Sequence, residues 1–343
     1  MNKTIFILFF VGIFSGSLLA QSGGSAGALT RLGFGPRAIS MGNAMTASTS
    51  EGVYPYYNPA LAAIQTEQIQ FDASVSSLQF DRIYQNIGAN FQLPPTAGLY
   101  VGLIRSGVKN IDQRSLSGYP LGTIDLSEYQ LFTAFGLRFG EKFRAGIGFK
   151  LNYANYHEDI SPATAVGIDF GVLYRINEQL QFGFTAQDMI ANFTWNSSDL
   201  YNQPQSRNVV DKFPTRFKWG LSFEKESYAI TTEYEIQVYT SEVTSSEVFL
   251  FPQTGFDIIR DTKEIKTNAQ MLRIGGSWKA HQFFTLRGGY QITESGVQGN
   301  NAISAGFSLH LPIDTFSPSI DYAFVSEPYQ VANMHVFALR LHL

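Results

Sequence analysis

The chain has 343 residues, of which 44% are apolar, 15% charged and 14% aromatic, with no cysteine and a net charge of −4. That balance excludes the basic footprint of a nucleic-acid binder, a disulfide scaffold, thiol catalysis, Cys-ligated metal sites and a disordered chain. A mean hydropathy of −0.04 excludes a multi-span helical membrane protein, which needs several apolar runs of about 18 residues or more, so a large β protein, soluble or membrane-embedded, remains.

In chain order, Met1-Asn2-Lys3 is a positive start, Ile5 to Ile13 is an apolar run, and Ser15 to Ala20 is a small-residue exit. This is the layout of a secretory signal peptide, with cleavage after Ala20. Residues 21–66 do not alternate. Gln21 to Thr30 is Gly/Ser/Ala-rich, as in a mobile linker, and the stretch ends in Tyr57-Asn58-Pro59-Ala60.

From about residue 67 onward, apolar and polar residues take turns. Ile69, Phe71, Ala73 and Val75 alternate with Gln70, Asp72, Ser74 and Ser76, and Phe337, Leu339, Leu341 and Leu343 alternate with Val336, Ala338, Arg340 and His342. Period two with one apolar face is a half-buried strand. The pattern predicts about fourteen strands, near 67–79, 83–93, 97–105, 127–139, 142–156, 164–176, 179–189, 214–224, 227–239, 270–280, 282–293, 301–311, 316–326 and 333–343. They suit membrane strands of about 9–11 residues better than soluble strands of about 5–6.

Tight links at 140–142, 177–179, 225–227 and 280–282 alternate with long ones at about 106–126, 190–213 and 240–269. Short turns on one side and long loops on the other mark an outer-membrane barrel. Together these features predict an all-β fold, a transmembrane antiparallel β-barrel of about 14 strands with an N-terminal hatch or plug segment. The domains are a signal peptide (1–20), a hatch (21–66) and a barrel (67–343), in the bacterial outer membrane. A soluble β-sandwich would leave strand length, loop asymmetry and export signal as coincidences.

The lipid face carries Phe, Leu, Ile, Val and Ala, with Tyr153, Tyr174, Trp219, Tyr228, Trp278 and Tyr290 near strand ends as interfacial girdles. The inward face carries Arg138, Arg144, Lys150, Asp169, Lys218, Glu233, Glu235, Arg273, Arg287 and Asp321, tolerable only in a wet or paired interior. About eight strands leave an interior just filled by side chains, so about fourteen leave a lumen that needs a plug. Residues 21–66 fit that place, since Gly42, Ala44 and Ala60 allow close backbone approach to the wall. A buried Arg37 then needs an acidic partner, with Asp169, Glu233, Glu235 and Asp321 as candidates.

Here the chain resembles a family. Gly35-x-Arg37-Ala38-x-x-Met41-Gly42-x-Ala44, followed by Asn58-Pro59-Ala60, is similar to the N-terminal signature of the FadL-like outer-membrane barrels, closest to their PorV/PorQ branch. Asp321 to Phe324 and His335 to Leu339 resemble that branch's last two strands. The resemblance implies a fourteen-stranded barrel with a hatch, serving either type IX protein secretion or uptake of hydrophobic compounds. Pro36 stands where the family commonly has Ala, Leu61 where it has Gly, and Leu343 where many barrels end in Phe.

No catalytic or metal site is expected. Gly23-Gly24-Ser25-Ala26-Gly27 matches a nucleophile elbow only in letters, because no strand precedes it, and the five histidines have no zinc spacing. One loop stands out. Val248, Phe249, Leu250 and Phe251, with Phe256, Ile258 and Ile259, form an apolar run in the long 240–269 connection. It either serves a partner or ligand, or folds back over the barrel. The first expectation is a non-catalytic secretion component that binds cargo or translocon through this loop. The alternative is a passive importer of hydrophobic small molecules. Partners are outer-membrane lipid, secretion-system proteins or cargo, and hydrophobic small molecules, with no cofactor and no nucleic acid.

Overall fold

The computed structural model describes residues 25–66, 69–196, 209–251, 255–294, 301–313, 317–326 and 332–343, with the side chains of residues 242–262 and 294 outside that set. The predicted signal peptide, residues 1–20, also lies outside the described residues.

Sixteen strands are present among the described residues. They are β1 Gln70–Leu78, β2 Arg82–Leu93, β3 Ala97–Arg114, β4 Pro120–Phe139, β5 Phe143–Asn155, β6 Ala163–Arg175, β7 Leu180–Met189, β8 Asn192–Trp195, β9 Val209–Lys212, β10 Thr215–Glu224, β11 Tyr228–Phe251, β12 Gly255–His281, β13 Phe284–Glu294, β14 Ala302–His310, β15 Ser319–Ser326 and β16 Asn333–His342. Fourteen of them close into one antiparallel barrel, each paired with its chain neighbour except that β10 follows β7, while β8 and β9 form a separate hairpin. Closure comes from β1 against β16, in register from Gln70↔His342 to Leu78↔Met334. Every predicted strand corresponds to one barrel strand.

Alternation sets the two faces of the wall. Phe135, Ile147, Phe149, Leu151, Phe170, Ile274, Ile303 and Leu339 are exposed on the outside, as are Tyr153, Tyr174, Trp219, Tyr228, Trp278 and Tyr290. An apolar belt of this extent is unstable in water and suited to lipid.

The long connections differ from expectation. Residues 106–126 and 240–269 are mostly continuations of β3–β4 and β11–β12, the latter strands 24 and 27 residues long. Beyond the last β10 pair, Thr215↔Val238, β11 and β12 continue as a two-stranded ladder to Phe251↔Gly255. The predicted apolar loop is therefore the end of a hairpin. Above the lipid a strand needs only its ladder hydrogen bonds, so the side chains need not alternate there. The side chains of Val248, Phe249, Leu250, Phe251, Phe256, Ile258 and Ile259 lie outside the described residues.

The 190–213 connection carries the β8–β9 hairpin, which lies over the inner face of β5 and β6. Phe193 and Phe213 pack there with Ala154, Ala163, Ala165 and Ala26. Tyr156 stacks on Trp195 at 4.7 Å.

Candidate functional site

The interior is built from the N-terminal segment upward. Residues 25–30 are packed, not loose, with Ala26 and Thr30 buried. The helix α1, Pro36–Ser40, follows Gly35, whose positive φ of 75° favours glycine, and Pro36 opens it where a missing N–H costs nothing. Asn58 is extended, accepts from the Ala60 N–H at 3.0 Å, and donates to the carbonyls of Thr46 and Val172 at 2.8 and 3.0 Å. Ala38, Met41, Ala44, Pro59 and Ala60 are all buried. Gly42, at φ 65°, donates its N–H to Ser304 Oγ at 3.1 Å.

These residues touch the inner wall at one level, and the wall answers with glycine. Gly98 faces Gly136, Gly136 faces Gly146, and Gly146 faces Gly171 in register across β3 to β6. Gly183 faces Gly220, and Gly275 faces Gly289. A Cβ at each would meet the segment: Ala62 or Ala63 at Gly98 and Gly136, Asn58 or Pro59 at Gly146 and Gly171, Thr46 or Ala47 at Gly183 and Gly220, and Met41 at Gly275. A mid-strand glycine marks close backbone approach, and these glycines are the signal in the sequence for the seat of the segment.

Beside the segment, Phe34, Tyr54, Tyr56 and Tyr57 pack with Tyr84, Tyr100 and Phe132 of β2–β4 into a dry cluster. Phe34 meets Phe132 edge-on at 5.3 Å, an arrangement aromatic pairs favour.

The remaining lumen is ionic. At the short-turn end, three guanidiniums meet three carboxylates. Arg37 Nε lies 3.0 Å from Asp321, Arg287 Nε 2.6 Å from Glu51, and Arg340 Nε 2.6 Å from Asp72. Of the four acidic candidates for Arg37, Asp321 is its partner, with Ser319 Oγ at 2.6 Å as a second acceptor. Burial pushes the Tyr54 phenol well above its ordinary range, so it stays neutral beneath Arg340, which sits 4.9 Å over its ring.

At the long-loop end, Lys150 Nζ lies 2.7 Å from Asp169 and 2.8 Å from Asp188, and Arg216 Nη2 lies 2.6 Å from Asp188. Arg273 Nη1 is 2.7 Å from Glu233 and also pairs with Glu235, while Lys218 Nζ stands 3.8 and 3.7 Å from the same two. Glu233 also receives the Thr46 N–H at 3.0 Å, tying the segment to β11.

Two expected lumen charges behave differently. Arg138 is half-exposed at the end of β4, where the wall stops and water reaches the guanidinium. Arg144 is buried, yet its Nε and Nη1 have no hydrogen-bond partner among the described residues. Asp188 was not anticipated. It sits in a β7 bulge at φ 57°, where the β6–β7 register shifts and two consecutive residues, Gln187 and Asp188, both face inward.

Two cavities lined by described residues flank the segment. The upper one, about 250 Å³, is lined by Arg31, Arg216, Lys218 and Arg273 together with Tyr56, Tyr57, Tyr239, Met271 and Met334. The lower one, about 230 Å³ at the short-turn end, is lined by Arg37, Glu51, Lys225, Glu226, Lys279, Arg287 and His310.

Glu51 gives the lower tie a pH dependence. Burial opposes its ionisation, but Arg287 and Arg37 outweigh that and hold its carboxyl below the usual range. A depressed carboxylate stabilises the fold above its ordinary pKa of about 4.3, and the contribution fades as pH falls through the depressed value. Glu51→Gln is expected to cost about 2 kcal/mol at pH 7. Urea unfolding in lipid vesicles should show that difference shrinking toward zero on acidification below about pH 4. A difference constant with pH would show that Glu51 is not the titrating tie.

A scan of protein-family models and a search of curated protein sequences return no match. Solved structures do. The toluene transporter TbuX of Ralstonia pickettii superposes with a TM-score of 0.63 at 13% identity, over 91% of this chain and 98% of that one. The CymD monoaromatic hydrocarbon channel gives 0.62 at 12%, over 92% and 97%. The two share one fold with this chain. A FadL homologue of Pseudomonas aeruginosa gives 0.55 at 9% identity, over 95% and 99%. These neighbours share the fold that the FadL-like resemblance implies and add nothing for the PorV/PorQ branch.

Proposed function

We propose that the chain is an outer-membrane channel for small molecules, without catalysis, in which residues 25–66 act as the hatch. The observation that carries this reading is the seat of that segment on the inner glycine belt, with a cavity on each side of it. The match in fold to channels and transporters of small hydrocarbons supports it. The outward apolar belt supports outer-membrane lipid as the surroundings.

The test locks the hatch. Gly220 would place a Cβ 3.0 Å from Thr46 Cβ, so a separation of about half an ångström brings the pair to the roughly 3.5–4.5 Å of a disulfide, and the chain has no cysteine of its own. Cells producing the chain are expected to take up a labelled small aromatic faster than cells without it. In the Thr46→Cys, Gly220→Cys variant, oxidation should return uptake to the background and reduction should restore it. Uptake indifferent to the lock would remove the hatch from the mechanism.

One observation favours a second reading. The β11–β12 ladder continues well past its barrel neighbours, as an arm for a cargo or translocon protein would. A type IX secretion role resting on that arm requires that deletion of the gene reduce secretion of proteins bearing the type IX C-terminal signal.

A further inference from the structure

The chemistry of the upper cavity bears on what it takes. Four cations line it, and no carboxylate among the described residues does. The carboxylates stand behind the cations, so the N–H groups front the space. Around it five cations, Arg31, Lys150, Arg216, Lys218 and Arg273, stand in front of Asp169, Asp188, Glu233 and Glu235, with Glu128 and Asp211 further out near Arg31.

Lys218 is the cation held at the longest ion-pair distances. The residue is 3% exposed. Its ammonium is 3.8 and 3.7 Å from Glu233 and Glu235, beyond hydrogen-bond reach. Its three donors therefore have no hydrogen-bond acceptor among the described residues and border the cavity, with the Tyr57 ring 5.9 Å away. Arg31 spends its hydrogen bonds on neutral acceptors, the Ala26 carbonyl and the Ser25 hydroxyl at 2.7 Å.

Size and walls narrow the class. About 250 Å³ accommodates one ring and its carboxylate. Tyr56, Tyr57, Met271 and Met334 supply the apolar wall.

We propose that this cavity binds a small aromatic monocarboxylate, with the carboxylate received by Lys218 and Arg31 and the ring held by the tyrosines and methionines. The inference rests on the channel reading for its purpose. A neutral hydrocarbon of equal size would leave Lys218 without an acceptor. The lower cavity, with four cations and two carboxylates on its wall, continues a field that favours an anion.

Equilibrium dialysis of the full barrel in detergent, with labelled benzoate and labelled toluene, tests this. The two differ by a carboxylate in place of a methyl. Benzoate is expected to bind at least about tenfold more tightly than toluene, and Lys218→Met to weaken benzoate about tenfold, one charge-assisted contact. Lys218→Arg should keep most of the affinity. Arg31→Met, off the barrel wall, gives the same reading if Lys218→Met does not fold. Toluene matching benzoate, unchanged benzoate binding in a folded Lys218→Met or in Arg31→Met, or decanoate binding more tightly than benzoate would overturn the assignment. Benzoate that binds but does not enter cells would leave the site standing and remove the channel reading. Entry without binding would do the reverse.

Discussion

Gly289→Leu is expected to open the barrel, and Gly276→Leu, on the neighbouring strand and almost level with it, is expected to leave it closed. A side chain at Gly289 would run into Met41 and Gly42 of the N-terminal segment. At Gly276 the nearest atom to an added Cβ is the Ala229 carbonyl oxygen at 3.6 Å, and the side chain would enter lipid. Something must yield at position 289. The wall there is held by ladder bonds to β12 on one side and β14 on the other. The segment is held locally by side-chain contacts, Gly42 and Ser40 to Ser304 and Thr46 to Glu233, and not by a ladder, so the segment moves first. Overpacking of this kind costs about 1–3 kcal/mol, which raises an open population about 5- to 150-fold. Single-channel recording in planar bilayers should show frequent open steps for Gly289→Leu and wild-type behaviour for Gly276→Leu. Equal traces for the two would mean that the segment does not block conduction.

The contrast between those two glycines also shows what was legible in the sequence. Strand positions were, because a wall with lipid outside and polar contacts inside imposes period two on every crossing. Above the lipid that constraint ends. Thr240-Ser241-Glu242-Val243-Thr244-Ser245-Ser246 belongs to β11, yet carries no apolar face, and it reads as loop for that reason. Phe193 and Trp195 do alternate in β8, but four residues are too few to stand out in a connection of that length. The paired charges were legible as inward residues and not as pairs, since Arg37–Asp321 and Arg287–Glu51 join points far apart in the chain. Asp188 was hidden by its own device, because a bulge places two consecutive residues on one face and breaks the period that would have revealed it.

Asp188→Asn is expected to be the most destabilising conservative change in the lumen. Asn tolerates the left-handed backbone at φ 57° and keeps the side chain's shape, so the bulge survives and the charge alone is removed. Lys150 would keep Asp169 at 2.7 Å. Arg216 has no other carboxylate within ion-pair distance among the described residues, and it is 4% exposed. A buried charge stripped of its partner costs about 3–5 kcal/mol. The double change Asp188→Asn with Arg216→Gln removes both charges, and about half or more of that loss should return, because most of the penalty is the orphaned guanidinium and not the lost attraction. Urea unfolding in lipid vesicles measures all three values. A loss below about 1 kcal/mol for Asp188→Asn would place Arg216 in contact with water, as for a surface pair. A double variant as unstable as the single one would mean that the bulge itself, and not the ion pair, is what Asp188 holds.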